Sequence, residues 1–463
     1  MANNQTLLTN ASKFSAVKNM YYSPVALVQN ALYSQMFCFL SRVDPWPDAN
    51  NPPVPLQDQR SLKQIMKGIF VAKPIGTNQM SPVIRRINWT SGSIYDYYQD
   101  NVDMFETNMV NDMMTGTYTY TFYINNKYDQ VFKCLWNNNG GASTVEPYFE
   151  PGSYNTNNIF QGSDGYKWKY IYTIDYASKV AFMDTHWIPV PIKEYSSNPL
   201  KNPSVGYGNI DVINVTNGGS GYSNSAITVT ISGDNTTQAT GYATTNNGTI
   251  SDIIVTNSGA NYITANVTIS SSSGYGATAI APVSPIGGHG QDALSELGCC
   301  NIMITTTFSG IEQDTSGTQM IPTDITYYQL GILSNPTSVS TSPDIAKPII
   351  YKTTTDLIVA GGFGVFVSDE IIYQGSSLEA ATFTGTVLSF DPASNILKVL
   401  NTSGILNINA PVFGNFSNTV RTLLAYNLPD LVTLSGDIVY IDNRTGIQRS
   451  YDGIEQFKIV LGY

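Results

Sequence analysis

The stretch from Asp164 to Ile174 constrains the fold more than any other region of the chain. An Asp-Gly pair, typical of a tight turn, is followed by strict alternation of large and polar residues. Side chains on a strand alternate between its two faces, so Lys167, Lys169 and Thr173 are predicted to point towards water or a partner. The other face carries Tyr166, Trp168, Tyr170, Tyr172 and Ile174. Such an aromatic ladder needs a second sheet or another subunit to cover it, and therefore predicts the core of a domain.

The length and composition of the chain indicate a globular protein of several domains. The 463 residues are too many for one core, and the length predicts about three domains. Charged residues make up 12%, whereas about 25% is usual for soluble domains. Neutral polar residues take their place, which favours assembly because such surfaces repel each other weakly. A β-rich protein with many turns would have the same bias.

Charge and hydropathy exclude two classes of partner. The net charge is −11 and no Lys/Arg-rich run occurs, so no basic face for nucleic acid is expected. No apolar run reaches the roughly 18 residues of a membrane helix, so no membrane contact is expected either. The first residues, Met1 to Thr6, lack a signal-peptide pattern, and we expect the protein to be made in a cytoplasm.

The sequence contains no recognisable catalytic or metal-binding motif. The four cysteines include no C-x-x-C pair, and no G-x-S-x-G, H-E-x-x-H, EF-hand or P-loop sequence is present. His289 lies between glycines near Asp292 and Glu296, which could suggest a metal or acid–base site, although a structural role is commoner for a histidine in such a turn. We therefore expect no enzyme activity, no cofactor and no metal.

The order of segments predicts an α+β fold dominated by β structure. It is multi-domain, with an antiparallel β-sandwich core, a few short helices and two inserted all-β modules. Ser23-Pro24 starts one predicted helix, and Asp58 is expected to cap another through Lys67. The predicted segments are an irregular N-terminal arm 1–22, a first core segment 23–204, an inserted β-repeat module 205–284, a second core segment 285–345, an inserted small β barrel or sandwich 346–424, and C-terminal core strands 425–463.

The first insert contains an internal repeat. The stretch from Val215 to Tyr222, Val-Thr-Asn-Gly-Gly-Ser-Gly-Tyr, recurs from Val255 to Tyr262 as Val-Thr-Asn-Ser-Gly-Ala-Asn-Tyr. A Val-Thr-Ile-Ser segment follows each copy. A β unit of about 40 residues cannot bury a face by itself, so the two copies are expected to pack together.

Seven stretches in one order resemble a known family. They are Ser41-Arg42-Val43-Asp44-Pro45-Trp46, the double-arginine stretch Ser81 to Trp89, Val131 to Leu135, Asp164 to Tyr170, Ile188 to Val190 with Pro191, Gly436 to Arg444, and Ile454 to Ile459. Together they are similar to the baseplate wedge subunit encoded by the eighth tail gene of T-even-type contractile-tailed phages, in a cyanophage-like version. The resemblance covers about residues 20–195, 300–340 and 430–463, and leaves out both inserts.

The resemblance implies a structural subunit of the virion. Members of this family are dimeric scaffolds in the tail baseplate, where they bind larger wedge proteins and help relay the trigger for sheath contraction. We therefore expect a homodimer and other wedge proteins as partners, with assembly in the host cytoplasm. The residues expected in its core or interfaces are Trp46, Arg85, Arg86, Trp89, Tyr166, Trp168, Tyr170, Tyr172, Tyr440 and Arg444.

Two other functions compete with the scaffold hypothesis. The Gly-Gly-Ser-Gly-Tyr repeat and the 30 tyrosines are also typical of a carbohydrate-binding tail or adhesin module. A polysaccharide depolymerase is the third hypothesis, but the chain lacks a long parallel β-helix repeat. If Asp369 and Glu370 lie on a strand, they point to opposite faces, which disfavours a glycosidase pair.

Overall fold

The computed structural model describes residues 9–22, 35–105, 120–153, 158–192, 208–223, 227–312, 321–339, 345–347 and 349–463. The helix predicted after Ser23-Pro24 lies outside these residues. The chain forms two compact units. The first comprises Met1–Asn19, Ser81–Met303 and Val460–Tyr463, and the second comprises Met20–Met80 and Ile304–Ile459.

Most regular structure in the described residues is β, and nearly all strand pairing is antiparallel, which confirms the predicted β-dominated, multi-domain α+β class. The helices are α1 Asn10–Tyr22, α2 Gln59–Gly68, α3 Tyr176–Phe182 and α4 Ala293–Glu296, with a 3-10 turn at Thr77–Gln79. The strands are β1 Met36–Ser41, β2 Ile69–Pro74, β3 Met80–Arg85, β4 Tyr123–Asn125, β5 Gln130–Asn137, β6 Ile159–Gln161, β7 Tyr166–Thr173, β8 Trp187–Pro189, β9 Asn214–Asn217, β10 Ile227–Gly233, β11 Thr240–Asn246, β12 Thr249–Asn257, β13 Ala265–Ser271, β14 Thr278–Ile280, β15 Asn301–Ser309, β16 Ile325–Ser334, β17 Tyr351–Lys352, β18 Thr355–Phe363, β19 Ile371–Gly375, β20 Ala381–Asp391, β21 Ile396–Gly404, β22 Pro411–Gly414, β23 Val420–Asn427, β24 Asp437–Arg449 and β25 Ile454–Gly462.

The first unit is built around a four-stranded sheet in the order β4-β5-β7-β6. Its central strand β7 contains the aromatic ladder, and the predicted turn before it is present, with Gly165 at φ +83°. This backbone region favours glycine because a Cβ would clash there. Every residue of the neighbouring strand β5 is buried, which makes this sheet the centre of the unit.

The repeat module lies in the first unit, and its two copies share one core. Ile213 and Tyr222 from the first copy pack in the same cluster as Ile253 and Tyr262 from the second. The copies are also locally alike, because the hydroxyl of Tyr222 accepts a hydrogen bond from Ala277 N and that of Tyr262 accepts one from Ala239 N, at 3.1 and 2.7 Å. The expectation that the copies pack together is therefore confirmed.

The second unit contains a five-stranded sheet in the order β17-β2-β1-β16-β24. Helix α2 precedes β2, and its N-terminus has the predicted cap: the Asp58 carboxylate accepts from the backbone N–H groups of Arg60 and Ser61, each at 3.0 Å. Ile65 of this helix packs against Phe39 of β1. The apolar face of α2 thus covers one side of the sheet.

The second insert forms a closed six-stranded barrel, so the barrel alternative is the correct one. Its strands follow the order β18-β21-β20-β19-β22-β23, and the barrel ends at Asn427, a few residues beyond the predicted boundary. Inward-facing aliphatic residues such as Leu357, Val399 and Leu423 are fully buried. Closure removes unpaired strand edges.

The prediction of an irregular N-terminal arm is wrong for residues 10–22, which form helix α1. Phe14 and Val17, one helical turn apart, are buried, and Phe14 meets the ring of Phe105 edge-on at 5.8 Å. Lys18 forms an ion pair with Asp292 at 3.0 Å. Packing of this narrow apolar stripe, rather than a strong amphipathic pattern, holds the helix in place.

Candidate functional site

Six of the seven stretches that resemble the wedge family contact one another in pairs, each pair within one unit. In the second unit, the segment ending at Trp46 lies beside β24, and the Trp46 indole Nε1 donates a hydrogen bond to the carbonyl oxygen of Arg444 at 2.7 Å. The Trp46 ring also meets Tyr328 edge-on at 6.2 Å. Arg42, from the same segment, binds the carboxylate of Asp369 and the carbonyl oxygen of Thr326. The first and sixth stretches therefore form one junction.

A second junction joins the double-arginine stretch to the Ile188-Pro189 stretch in the first unit. Strand β3 pairs with β8, with Arg85 opposite Trp187, and the Arg85 guanidinium lies 4.8 Å from the centre of that indole ring. The backbone N–H of Arg86 donates to His186 O at 2.7 Å. The cation above the indole and the paired strands fix the course of this segment.

A third junction is the aromatic core around β5 and β7. The rings of Tyr166 and Trp168 are stacked 5.4 Å apart, both are fully buried, and Trp89 packs against their cluster. Trp89 is fixed by a hydrogen bond from its Nε1 to Ser143 Oγ at 3.0 Å. Tyr170 is partly buried and meets Phe132 edge-on at 5.8 Å.

Tyr172 has different neighbours from the other aromatic residues of the ladder. The register between β5 and β7 shifts between Val131 and Phe132, so the residues beyond this point no longer follow the same alternation. Tyr172 is buried, and its hydroxyl donates to Pro189 O at 2.8 Å. It therefore joins the ladder strand to the end of β8, beside the double-arginine stretch.

Tyr440 and Arg444 lie on β24 of the second unit. Tyr440 is partly buried opposite Ile332, and burial, helped by the nearby Asp442, raises its pKa to about 12. The Arg444 side chain is about half exposed and pairs with Asp442. Of the ten predicted residues, Trp46, Tyr440 and Arg444 lie in the second unit, where Trp46 contacts Arg444, and the other seven lie in the first unit.

Of the two predicted surroundings for this face of β7, water or a partner, Thr173 has the first, whereas Lys167 and Lys169 are buried against another part of the chain. The side chains of Lys167 and Lys169 are 8% and 10% exposed. Lys167 Nζ lies 2.9 Å from Asp252 Oδ1 and donates to Ile213 O at 2.9 Å, and Lys169 Nζ lies 3.5 Å from Asp211 Oδ2. All three partners belong to the repeat module, so the insert is docked on the lysine face of the ladder strand by buried ion pairs.

Beside this docking surface lies a buried group of three ionisable residues, Lys133, His289 and Glu296. Lys133 Nζ is 3.2 Å from His289 Nδ1 and 3.6 Å from Glu296 Oε2, and the three side chains are at most 2% exposed. The ring of Tyr98 covers the ammonium at 3.9 Å from its centre. Glu296 also accepts from the backbone N–H of Gly290 at 2.7 Å.

The electrostatics of this group favour a charged pair beside a neutral histidine. Burial lowers the pKa of Lys133 to about 8, although the Glu296 carboxylate opposes this. Burial would raise the pKa of Glu296, but His289 and the Lys133 ammonium lower it to about 2. Burial also lowers the pKa of His289, and the Lys133 charge acts in the same direction. A neutral His289 can accept a hydrogen bond from Lys133 through Nδ1.

The sequence spacing associated His289 with Glu296, but it did not predict that Lys133 joins them in a buried ionic cluster. A usable signal was present, because Lys133 is the one charged residue in the apolar run from Val131 to Leu135. A charge in the middle of a fully buried strand needs a partner of opposite charge. The partner, Glu296, is far along the chain, and nothing in the sequence relates it to Lys133.

Among the described residues, no group of three or more His, Cys, Asp and Glu side chains is arranged to hold a metal ion. The four cysteines are free thiols, and Cys38, Cys134 and Cys299 are buried. Burial raises the pKa of Cys38 to about 12, so this thiol stays protonated at neutral pH. No helix within the described ranges is long and apolar enough to cross a membrane.

Comparison of the sequence with family models and with curated proteins gives no match.

Proposed function

We propose that this protein is a structural subunit of a phage tail baseplate wedge, a homodimeric scaffold that links larger wedge proteins and helps relay the trigger for sheath contraction. The proposal rests on the seven ordered stretches of the sequence. The observation that carries it is their spatial pairing: stretches far apart in the chain form common junctions, as Trp46 does with Arg444 and Ile84 does with Ile188. Scattered chance similarities would have no reason to meet in this way.

The chemistry of the junctions also supports a scaffold. They consist of stacked aromatic rings, strand pairing and buried ion pairs, which stabilise a shape and position no reacting group. The low content of charged residues, 12%, suits surfaces that associate with other proteins in a virion. Both inserts are separate additions to this core, one docked on β7 and one closed into its own barrel.

The test is assembly. The purified chain is expected to sediment as a dimer at micromolar concentration, with an interface of about 800 Å² per partner or more. Co-expression with the larger wedge proteins of the same phage should yield a complex that survives gel filtration. A monomer at this concentration, together with failure to co-purify with any wedge protein, would overturn the proposal.

The matched variants for this test are deletions of the inserts. Deletion of the barrel from Thr355 to Asn427, with the ends rejoined by a short Gly/Ser linker, should leave the dimer intact if the resembling core makes the dimer contact. The circular-dichroism spectrum verifies that the rest of the variant is folded. If the folded variant is a monomer, the dimer interface lies on the barrel, which contradicts a dimer contact made by the resembling core.

A further inference from the structure

A polar cleft of about 460 Å³ lies in the first unit, on the side of the β4 strand end, outside both inserts. It is formed by the double-arginine stretch, the turn after β4 and helix α3. Its lining includes Arg86, Trp89, Asn125, Lys127 and Lys179. A volume of this size is within the range of small-molecule sites and would hold one or two sugar rings.

The floor of the cleft contains a buried hydrogen-bond acceptor with no partner. Asn125 is only 3% exposed, and its Oδ1 accepts no hydrogen bond from any described residue. Its backbone is held on both sides, since Asn125 N donates to Ile87 O at 2.7 Å and Trp89 N donates to Asn125 O at 2.9 Å. A buried carbonyl oxygen without a hydrogen bond lowers the stability of the folded protein, because it has lost its contact with water. A ligand hydroxyl that donates to Asn125 Oδ1 would replace that missing hydrogen bond.

The charges of the cleft leave one cation unmatched. Lys127 pairs with Glu146 at 3.1 Å, and Lys179 pairs with Asp129 at 2.8 Å. Arg86 has no carboxylate within ion-pair distance among the described residues; its Nε donates to Asn88 Oδ1 and one terminal nitrogen donates to Asp184 O. A guanidinium has five N–H donors in a planar fork that suits a carboxylate, so donors remain for an anionic group.

The cleft is rigid before any ligand arrives. In the turn after β4, Asn126 Oδ1 accepts from the N–H groups of Tyr128 and Gln130, each at 2.9 Å, and its Nδ2 donates to Pro147 O at 2.8 Å. The Trp89 indole is fixed by Ser143, as described above. A preorganised polar site loses little entropy when it binds, and the partly buried indole offers an apolar surface for the C–H face of a sugar ring.

We propose that this cleft binds an acidic sugar, a pyranose that carries a carboxylate. The carboxylate pairs with Arg86, a ring hydroxyl donates to Asn125 Oδ1, and the ring lies against Trp89. The paired side chains of Lys127 with Glu146 and Lys179 with Asp129 offer further donors and acceptors to the remaining hydroxyls. This role is independent of the scaffold function, since it uses a surface of one protomer and no partner.

The experiment is isothermal titration calorimetry of the full chain with oligomers of glucuronic and galacturonic acid, with the neutral glucose and galactose oligomers as comparison. The acidic oligomers are expected to bind with a Kd in the millimolar range or tighter, and at least tenfold more tightly than the neutral ones. Arg86→Gln should weaken the acidic ligand at least tenfold. Arg86→Lys, which keeps the charge and loses the planar fork, should give a smaller loss.

The control is Arg60→Gln, which removes an exposed arginine on α2, outside the cleft, and should leave the affinity unchanged. The melting temperature of each variant verifies that it is folded. Absence of binding to every oligomer would overturn the proposal, as would equal affinity of the wild type and a folded Arg86→Gln variant. Equal binding of inorganic phosphate or acetate in competition would show a general anion site and also contradict the sugar assignment.

Discussion

The indole Nε1 of Trp46 and the carbonyl oxygen of Arg444 are 2.7 Å apart, although the two residues are separated by 398 positions in the chain. The bond ties a Pro-rich loop, which has no strand of its own, to the long strand β24. A loop without ladder hydrogen bonds depends on such side-chain contacts for its position. The hydrogen bond between Trp46 and Arg444 therefore holds together the first and sixth stretches on which the scaffold proposal rests.

Replacing Trp46 separates the hydrogen bond from the ring contact. Trp46→Phe keeps an aromatic ring against Tyr328 and removes the donor, and should lower the free energy of unfolding by about 1 kcal/mol. Trp46→Ala also removes the ring and should cost more. Urea denaturation of both variants measures the difference, and equal stability of the wild type and Trp46→Ala would show that the junction contributes nothing.

Trp168 is the second residue whose loss has a defined expected cost. Its side chain is fully buried between Tyr95 and Tyr166, so Trp168→Ala should destabilise the protein by about 3–5 kcal/mol. Its Nε1 has no hydrogen-bond partner among the described residues, so Trp168→Phe loses area without losing a bond and should cost clearly less. Tyr176→Ala, at a residue that is 82% exposed, is the control for chemical denaturation and should change stability by no more than about 0.5 kcal/mol. A fully stable Trp168→Ala variant would contradict the placement of the ladder.

The ion pair between Lys167 and Asp252 predicts a local effect on the repeat module. Lys167→Met leaves the Asp252 carboxylate and Ile213 O without their cation and should lower stability by about 1–3 kcal/mol. The double variant Lys167→Met with Asp252→Leu removes both charges and should recover some of the loss. Limited proteolysis should cut the single variant first within residues 208–284.

The matched control for this pair is Arg444→Gln. The Arg444 side chain is about half exposed where it pairs with Asp442, so its loss should cost no more than about 1 kcal/mol and leave the module resistant to protease. If Lys167→Met were cleaved at the same sites and rates as the wild type, the docking role of the lysine face would be wrong.

Sequence periodicity predicted what depends on local geometry. The burial of Tyr166 and Trp168 followed from side-chain alternation, and the cap at Asp58 followed from the hydrogen-bonding capacity of a carboxylate at a helix start. The same alternation could not decide whether Lys167 faces water or a partner, because the burial of a charge is decided by the group that pairs with it. That partner, Asp252, lies 85 positions further along the chain in a separate module.

The sites formed between segments could not be predicted from the sequence. The acidic-sugar cleft combines Arg86, the turn after β4 and helix α3, and no spacing in the sequence relates these elements. Helix α1 was missed for a different reason, since its buried apolar stripe consists only of Phe14, Val17 and Met20 among the described residues, and Phe14 is covered by Phe105 from a distant segment. In each case tertiary contacts outweigh local preference.

The buried histidine predicts how stability changes with pH. Burial lowers the pKa of His289 in the folded protein. Below about pH 6.5, the ordinary pKa of a histidine, this residue therefore binds more protons in the unfolded chain than in the folded one. Stability should therefore fall as the pH drops through this value, with a slope of at most about 1.4 kcal/mol per pH unit from this residue. His289→Gln retains an acceptor for Lys133 and removes the titration, so its stability should fall less steeply between pH 7 and 5. His186, the chain's other histidine, is exposed, and His186→Gln is the matched control for a His→Gln change outside the buried cluster. Urea denaturation across this pH range decides the matter: parallel curves for the wild type and His289→Gln would mean that His289 is protonated in the folded protein as readily as in the unfolded chain.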